Sequence, residues 1–212
     1  MQEAKARRSN RERSEKTRET LLKAARRLFV EKSYAETSTP EIVETAGVTR
    51  GALYHHFADK QALFRAVVER EARRVAEEIE RKAASPSPVA ALLEGGSAFL
   101  EAMAVPGRTR LLLLDGPAIL GRAVMDEIEG RHGNRTLREG LAAAIRAGAL
   151  PPLPLSALTA LLAAAFDRAA LAIAEGGDEK TYRQSIAGII EGLAASAAAR
   201  KGDAADQQEL PF

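Results

Sequence analysis

Apolar residues recur at intervals of three and four along most of the chain, the spacing that places them on one face of an α-helix. No stretch alternates apolar and polar residues in the manner of a half-buried strand, and aromatic residues, which favour strands, make up only 4% of the sequence. Ala, Leu, Glu and Arg, all strong helix formers, dominate the composition. The pattern therefore predicts an all-α protein.

Capping residues divide the first 82 residues into four predicted helices. Ser38 and Glu41 have the spacing of a capping box, Pro40 suits a first turn, and Gly47 suits a left-handed helix end. The predicted helices run from Thr17 to Lys32, from Ser38 or Thr39 to Gly47, from Thr49 to about Phe57, and onward from Asp59.

Five more helices are predicted beyond Ser85-Pro86-Ser87-Pro88, which ends the fourth helix and marks a boundary region. Asp115-Gly116-Pro117 disturbs the second of the five, and the residues near Gly130–Gly133 are a candidate break in the third. About nine helices are therefore expected in all. The five later ones lie at about 88–104, 108–120, 122–148, 155–175 and 179–200.

The composition argues against an enzyme or a metalloprotein. The chain has no cysteine and only 3 histidines, two of them adjacent, and it contains no nucleophile elbow, phosphate-binding loop or metal-ligand spacing. No cofactor is expected. Asp167 and Arg168 interrupt the longest apolar run, Leu158–Ala174, and the charged N-terminus lacks the apolar stretch of a signal peptide. We therefore expect a cytoplasmic protein without a membrane segment.

Positive charge is concentrated at the front of the chain, although the net charge is only +2. Residues 1–32 hold 11 Lys and Arg against five Asp and Glu. Such a segment favours a polyanionic partner. The arginines of the first 14 residues allow two interpretations: plain solubilising charge, or a mobile arm that reaches phosphates or the minor groove. They are Arg7, Arg8, Arg11 and Arg13.

The most informative stretch is Thr37–Lys60, which predicts two short helices joined by a tight Ala-Gly-Val turn, a helix-turn-helix. In the second helix, which Thr49 caps, Leu53 and Phe57 are spaced to point inward. The opposite face carries small, cationic or hydrogen-bonding residues, which suits entry into a DNA groove.

Several residue types in this stretch suit contact with DNA. Arg50, Tyr54 and His55 could reach base edges or phosphates, while Gly51 and Ala52 permit close approach, and Ala52 could touch a thymine methyl group. The first helix offers Ser38, Thr39 and its N-terminal N–H groups to phosphates, and the fourth offers Lys60.

This stretch resembles the TetR family of bacterial transcriptional regulators. The matching residues are Ile42, Ala46-Gly47-Val48-Thr49, the run Gly51–Phe57, Asp59-Lys60 and Leu63-Phe64, within a similarity that extends from about Thr17 to Glu69. By this resemblance Arg50 and Ala52 face bases, and His55 faces bases or phosphates. Pro40 stands where some members carry a basic residue that reads bases. The residues implied to contact phosphates are Ser38, Thr39, Tyr54, His56 and Lys60.

The C-terminal part is also similar to the family, through Leu111–Leu114 and the following Asp115–Gly121. The resemblance implies a small-molecule site in a helical C-terminal domain and a homodimer formed by the last two long helices, about 155–175 and 179–200. Both helices are rich in small residues, which permits close helix packing between subunits or within one core. Candidate pocket residues, each of which could equally be core, are Phe99, Met103, Leu113, Leu114 and Phe166.

The expected protein is thus a homodimeric repressor, released from a palindromic operator by a small-molecule effector. The open alternatives are an activator of the same type, a DNA-binding protein that needs no ligand, and a ligand-binding or partner-binding protein with a vestigial DNA head. The expected domains are a basic flexible arm at 1–14, a three-helix homeodomain-like helix-turn-helix head at 15–60, a helical regulatory and dimerisation bundle at 61–201, and a disordered tail at 202–212.

Overall fold

The computed structural model describes the backbone of residues 2–208 and the side chains of residues 11–200. Within residues 2–208 the chain contains ten α-helices and one π-helix but no strand, so the all-α prediction is confirmed. The helices are α1 (Gln2–Lys32), α2 (Thr39–Ala46), α3 (Arg50–His56), α4 (Lys60–Lys82), α5 (Pro88–Met103), the π-helix (Arg110–Asp115), α6 (Gly116–Leu120), α7 (Arg122–Arg131), α8 (Gly133–Arg146), α9 (Leu155–Ala174) and α10 (Glu179–Gln208).

Both ends of the chain differ from the expectation. Helix α1 begins at Gln2, where a flexible arm was expected through residue 14, because residues 2–16 contain neither Gly nor Pro and consist mostly of strong helix formers. Helix α10 continues to Gln208, where a disordered tail was expected from residue 202. Residues 209–212 of that tail lie outside the described residues.

Two predicted helices are divided in the structure, and the division of the predicted 122–148 helix raises the number of α-helices from nine to ten. The backbone leaves helical geometry at His132, which separates α7 from α8 at the expected break. The π-helix occupies the first part of the predicted 108–120 helix. Pro117 has no N–H to donate to the carbonyl group of Leu113, so regular α-helical bonding cannot continue through this segment.

The first compact unit comprises Met1–Glu71 and Arg110–Met125. Its core contains an aromatic cluster in which the ring of Phe64 lies 5.2 Å from that of Phe29 and 5.0 Å from that of Tyr34. Leu21, Leu53 and Leu63 are fully buried in this unit. The cluster joins α1, the turn that follows it and α4.

This unit extends past the predicted boundary at residue 60. The first half of α4 contributes Phe64 and Val67 to the core, both fully buried. The amide of Gln61 donates a hydrogen bond of 2.8 Å to the carbonyl oxygen of Ile119, in α6. A Cβ atom on Gly116 would lie 2.9 Å from the carbonyl oxygen of Leu111, so the direct junction between the π-helix and α6 favours glycine. Residues 110–125 thus pack with the head, although the sequence assigns them to the later bundle.

The second compact unit comprises Ala72–Thr109 and Asp126–Phe212. Helix α9 packs against α5, α8 and α10. Helix α9 has 20 residues, more than the interrupted apolar run counted from the sequence. Among the described helices it alone is long and apolar enough to cross a membrane by length and composition. Of its apolar window, 39% is buried. A core helix of a soluble protein meets the same criterion. The packing of α9 on three helices is that of a core helix.

Candidate nucleic-acid interface

Local side-chain caps fix the ends of α2 and α3, as the sequence predicts. The hydroxyl oxygen of Ser38 accepts a hydrogen bond of 3.3 Å from the amide of Glu41, and that of Thr49 accepts one of 3.2 Å from the amide of Ala52. Gly47 ends α2 with φ of 62°, in the left-handed region that glycine tolerates best. These caps determine the turn between the two helices.

Helix α3 has one buried face and one exposed face. Leu53 is fully buried, and Phe57, which ends the helix, is 5% exposed. Four residues of the opposite face are exposed, and Ala52 lies half-buried beside them. The exposed residues are Arg50, Gly51, Tyr54 and His55. The structure therefore brings the predicted reading residues together on one open surface.

Packing within the fold does not require glycine at position 51 of this surface. A Cβ atom built on Gly51 would meet only the hydroxyl oxygen of Thr49, at 3.9 Å, which is an ordinary contact distance. The fold would therefore accept a side chain at this position. The absence of one leaves space for a ligand to approach the helix backbone.

Tyr54 links the two helices of the motif. Hydrogen bonds from Thr39 and, next in importance, from Arg50 lower the pKa of the Tyr54 hydroxyl, because they favour the phenolate. The guanidinium of Arg50 lies 5.5 Å from the centre of the Tyr54 ring. Tyr54 therefore holds the side chain of Arg50 in place while remaining 42% exposed itself.

Lys60 has a structural role that the sequence did not reveal. Its ammonium group donates hydrogen bonds to the carbonyl oxygens of Tyr34, at 2.9 Å, and Thr37, at 3.0 Å, and lies 4.2 Å from the centre of the Tyr34 ring. Both carbonyl groups are neutral, so neither of them cancels the positive charge of Lys60. The side chain was expected at the DNA backbone; in the structure it also fixes the turn between α1 and α2.

The adjacent histidines differ in environment. His55 is exposed, whereas His56 is half-buried and its ring centre lies 5.2 Å from that of His55. Burial lowers the pKa of His56, and the nearby charges of His55 and Arg18 lower it further. The neutral ring of His56 can still donate one N–H to a phosphate. No three metal-ligating side chains gather anywhere in the part of the chain that the structure describes.

Arg18 belongs to this surface, although sequence reasoning did not single it out. Its guanidinium lies 5.4 Å from the centre of the Phe57 ring, at the end of α3. The periodicity of α1 marked only the apolar residues that follow Arg18. Tyr34 was missed for another reason: its contacts with Phe64 and Lys60 join residues far apart in sequence.

The second unit contains a cavity of about 290 Å³ between α5, α9 and α10. Of the five predicted pocket residues, Phe166 lines this cavity, and the ring of Phe99 packs 5.6 Å from that of Phe166. Leu113 and Leu114 do not line this cavity; they lie in the π-helix of the first unit, where Leu114 is 53% exposed. Met103 is buried core, 3% exposed. The cavity residues that the sequence did not suggest include Gly96, Ser97, Arg183 and Ile190.

Helices α9 and α10 each expose apolar surface next to small residues. Leu161 is 71% exposed and Ile189 is 49% exposed. Ala157 and Ala164 are exposed one turn before and after Leu161, and the neighbours of Ile189 include the exposed Gly188. Surfaces of this kind allow two helices to approach closely.

Two family models match the chain. The model described as bacterial regulatory proteins, tetR family, matches residues 21–67, and the model described as tetracyclin repressor-like, C-terminal domain, matches residues 89–197. The second match alone covers just over half of the chain.

Known proteins give the same result. The HTH-type transcriptional regulator AcrR of Shigella flexneri is 38% identical over 108 residues, 50% of this chain and 50% of that protein. The HTH-type transcriptional repressor BepR of Brucella suis is 39% identical over 99 residues, 45% of this chain and 47% of that protein. The matches thus span about half the length of these relatives. The crystal structure of a TetR-family transcriptional regulator from Pectobacterium atrosepticum superposes with a TM-score of 0.68 and 32% identity, over 86% of this chain and 96% of that one. These relatives are transcriptional regulators, not enzymes.

Proposed function

The chain belongs to the TetR family of DNA-binding transcriptional regulators, and we propose that it is a homodimeric repressor of a palindromic operator, released by a small-molecule effector. The observation that carries this proposal is the exposed face of α3, where Arg50, Gly51, Tyr54 and His55 lie together over a buried Leu53. A helix of this kind fits the major groove, which is about 12 Å wide.

The contacts with DNA divide into two classes. Arg50 and Ala52 read bases, and His55 contacts bases or phosphates. Thr49 caps the helix that carries them. The phosphate contacts come from Ser38, Thr39, Tyr54, His56 and Lys60. Support for this division comes from the exposure of α3 and from the charge that Lys60 retains at the start of α4.

A homodimer supplies the second reading helix that a palindrome requires. The exposed surfaces of α9 and α10, centred on Leu161 and Ile189, form the interface between subunits. Small neighbours such as Gly188 permit close packing there. Two heads spaced by about one DNA turn, roughly 34–36 Å, then occupy successive major grooves. We place this assembly in the cytoplasm, with the DNA it binds.

The effector occupies the cavity that Phe166 lines. Its walls are mostly apolar, and its polar groups include Ser97 and Arg183, which are hydrogen-bonded to each other. A compact apolar molecule suits this composition. To act, it must bind the DNA-incompetent state more tightly, with a typical coupling free energy of about 1–3 kcal/mol. Helix α4 carries Lys60 at its start and continues into the unit that holds the cavity, so it is the connection through which binding acts.

Footprinting tests this proposal. Purified protein is incubated with the DNA beside its own gene, with and without a metabolite extract, and duplexes are also selected from a random-sequence pool. We expect protection of a palindromic site that one extract fraction removes. Failure to retain any duplex at low ionic strength would overturn the DNA-binding proposal. Protection that persists with every fraction would overturn effector release alone.

A further inference from the structure

Helix α1 carries a basic row on the same side as its apolar stripe. At 3.6 residues per turn, Arg11 and the buried residues Leu22, Ala25 and Phe29 all lie within about 40° of the direction of Arg18 around the helix axis. One side of α1 is therefore apolar from Leu22 onward, where it is buried, and carries the arginines Arg11 and Arg18 before that point. Both Arg11 and Arg18 are exposed. We call these two residues the α1 row.

The α1 row begins at the end of the helix that we propose to read DNA. The guanidinium of Arg18 lies 5.4 Å from the centre of the Phe57 ring, and its charge acts on His56. Arg11 lies seven residues further out, about 10 Å along α1, which corresponds to about three base pairs along a duplex. The row therefore starts beside the end of α3 and extends away from it along α1.

The partner that Arg11 has within the chain is easily exchanged. Its guanidinium lies 2.9 Å from the carboxylate of Glu15, and the two side chains are 81% and 64% exposed. An exposed ion pair of this kind contributes little to stability. A phosphate oxygen could replace the carboxylate, because arginine binds both groups with the same geometry.

We propose that the α1 row binds backbone phosphates that flank each operator half-site, outside the base pairs contacted by α3. This inference rests on the proposed function, since α3 must enter the groove for the row to reach the flanking backbone. Phosphate fits better than a base, because the arginines lie on α1, outside the helix that enters the groove, and Arg11 already pairs with a carboxylate, whose geometry a phosphate shares. The row then raises the affinity for every DNA sequence and does not discriminate among sequences.

The chain offers a matched control on the same helix. Arg13 is exposed and two residues from Arg11, but it lies on nearly the opposite side of α1. Arg11→Gln and Arg13→Gln remove the same charge from the same segment. Diffuse attraction between a basic helix and DNA would make the two variants equivalent, whereas contact along one row separates them.

The salt dependence of binding to the selected operator duplex is the first measurement. Loss of one phosphate contact in each subunit of the dimer reduces the slope of log K against log salt by about 1.8 for Arg11→Gln. The affinity advantage of wild type over this variant should then shrink about 12-fold between 50 and 200 mM salt. Arg13→Gln should keep the wild-type slope. Equal slopes for wild type and Arg11→Gln, or equal losses for both variants, would overturn the α1 row.

Trimming the duplex is the second measurement. Removal of the flanking base pairs outside the α3 contacts should lower wild-type affinity more than that of Arg11→Gln, which keeps only Arg18 of the row. Wild-type binding that is indifferent to the flanks would also overturn the row. If wild type retains no duplex at all, the proposed function itself fails, an outcome distinct from equal binding by all three proteins.

Discussion

The ammonium group of Lys60 lies 2.9 Å from the carbonyl oxygen of Tyr34, 26 residues earlier in the chain. A second hydrogen bond joins the same group to the carbonyl oxygen of Thr37, a residue that is 1% exposed. One cation at the start of α4 therefore closes the turn that leads into α2. A residue that the family resemblance assigns to DNA backbone contact also maintains the shape of the head that makes the contact.

Lys60→Met should lower both stability and DNA affinity. The substitution removes two hydrogen bonds from a charged donor, each worth about 1.5–3 kcal/mol, and leaves a buried carbonyl group without its partner. We expect a lower urea midpoint with an unchanged m-value, and weaker binding to every duplex. Lys23→Met is the control, since Lys23 is exposed and its ammonium group lies 3.6 Å from the carboxylate of Glu19, a side chain that is 45% exposed. Equal midpoints for the two variants would contradict the structural role of Lys60.

Gly51→Ala should separate folding from DNA binding. The added methyl group would meet only the hydroxyl oxygen of Thr49 at 3.9 Å, and alanine favours a helix over glycine by about 1 kcal/mol. We expect unchanged or higher thermal stability together with weaker operator binding, because the methyl group keeps α3 away from the bases. Stability is read from thermal unfolding and affinity from a gel-shift titration. An unaltered affinity would show that the helix backbone does not approach DNA at this point.

Arg50→Ala should weaken specific binding by about 1–3 kcal/mol and relax the base preference at one position of each half-site. The guanidinium contacts only the neighbouring Tyr54 among the contacts described for it, so the fold should survive its removal. Competition between the operator and random duplexes measures the loss. A variant that discriminates among operator sequences as well as wild type would remove Arg50 from base readout.

Caps and helix faces could be predicted because they depend on residues close in sequence. Ser38, Thr49 and the buried pair Leu53 and Phe57 lie within single helices or their ends, where side chain and backbone positions follow from spacing alone. The contact of Lys60 with Tyr34 could not be predicted in the same way. It depends on how α1 and α4 pack, which no local pattern encodes.

The geometry around the predicted helix disturbance could not be predicted from the sequence. Leu113 and Leu114 are candidate pocket residues beside a predicted disturbance of a helix, and in the structure this segment is a π-helix. Hydrogen bonds from residue i to i+5 change which residues share a face. Gly116 and Pro117 indicate that the helix is interrupted, but they do not predict the geometry of the interruption. Arg183 of the cavity was missed because it meets Ser97 only through the packing of α10 on α5.

Stability should fall in mildly acidic solution because of His56. Burial is the main cause that lowers its pKa below the ordinary value of 6.5, with smaller effects from His55 and Arg18. The unfolded chain therefore binds a proton at a higher pH than the folded chain, so the contribution of the neutral ring is full above pH 6.5 and declines as the pH falls below it. His56→Gln should flatten this decline in urea unfolding between pH 5 and pH 7. A variant whose stability follows the wild-type pH profile would assign the decline to other groups.

Leu161→Glu should dissociate the proposed dimer without unfolding the subunit. The side chain is 71% exposed, so its replacement removes almost no packing within one chain, whereas a carboxylate buried against a second copy lacks a partner there. We expect a halved mass by light scattering, unchanged helix content, and loss of binding to a palindrome with weak binding to single half-sites retained. Ser156→Glu is the control, because Ser156 is exposed on another side of α9. If the mass stayed at that of a dimer, the subunit contact would have to lie elsewhere, and the spacing of the two reading helices would need a different explanation.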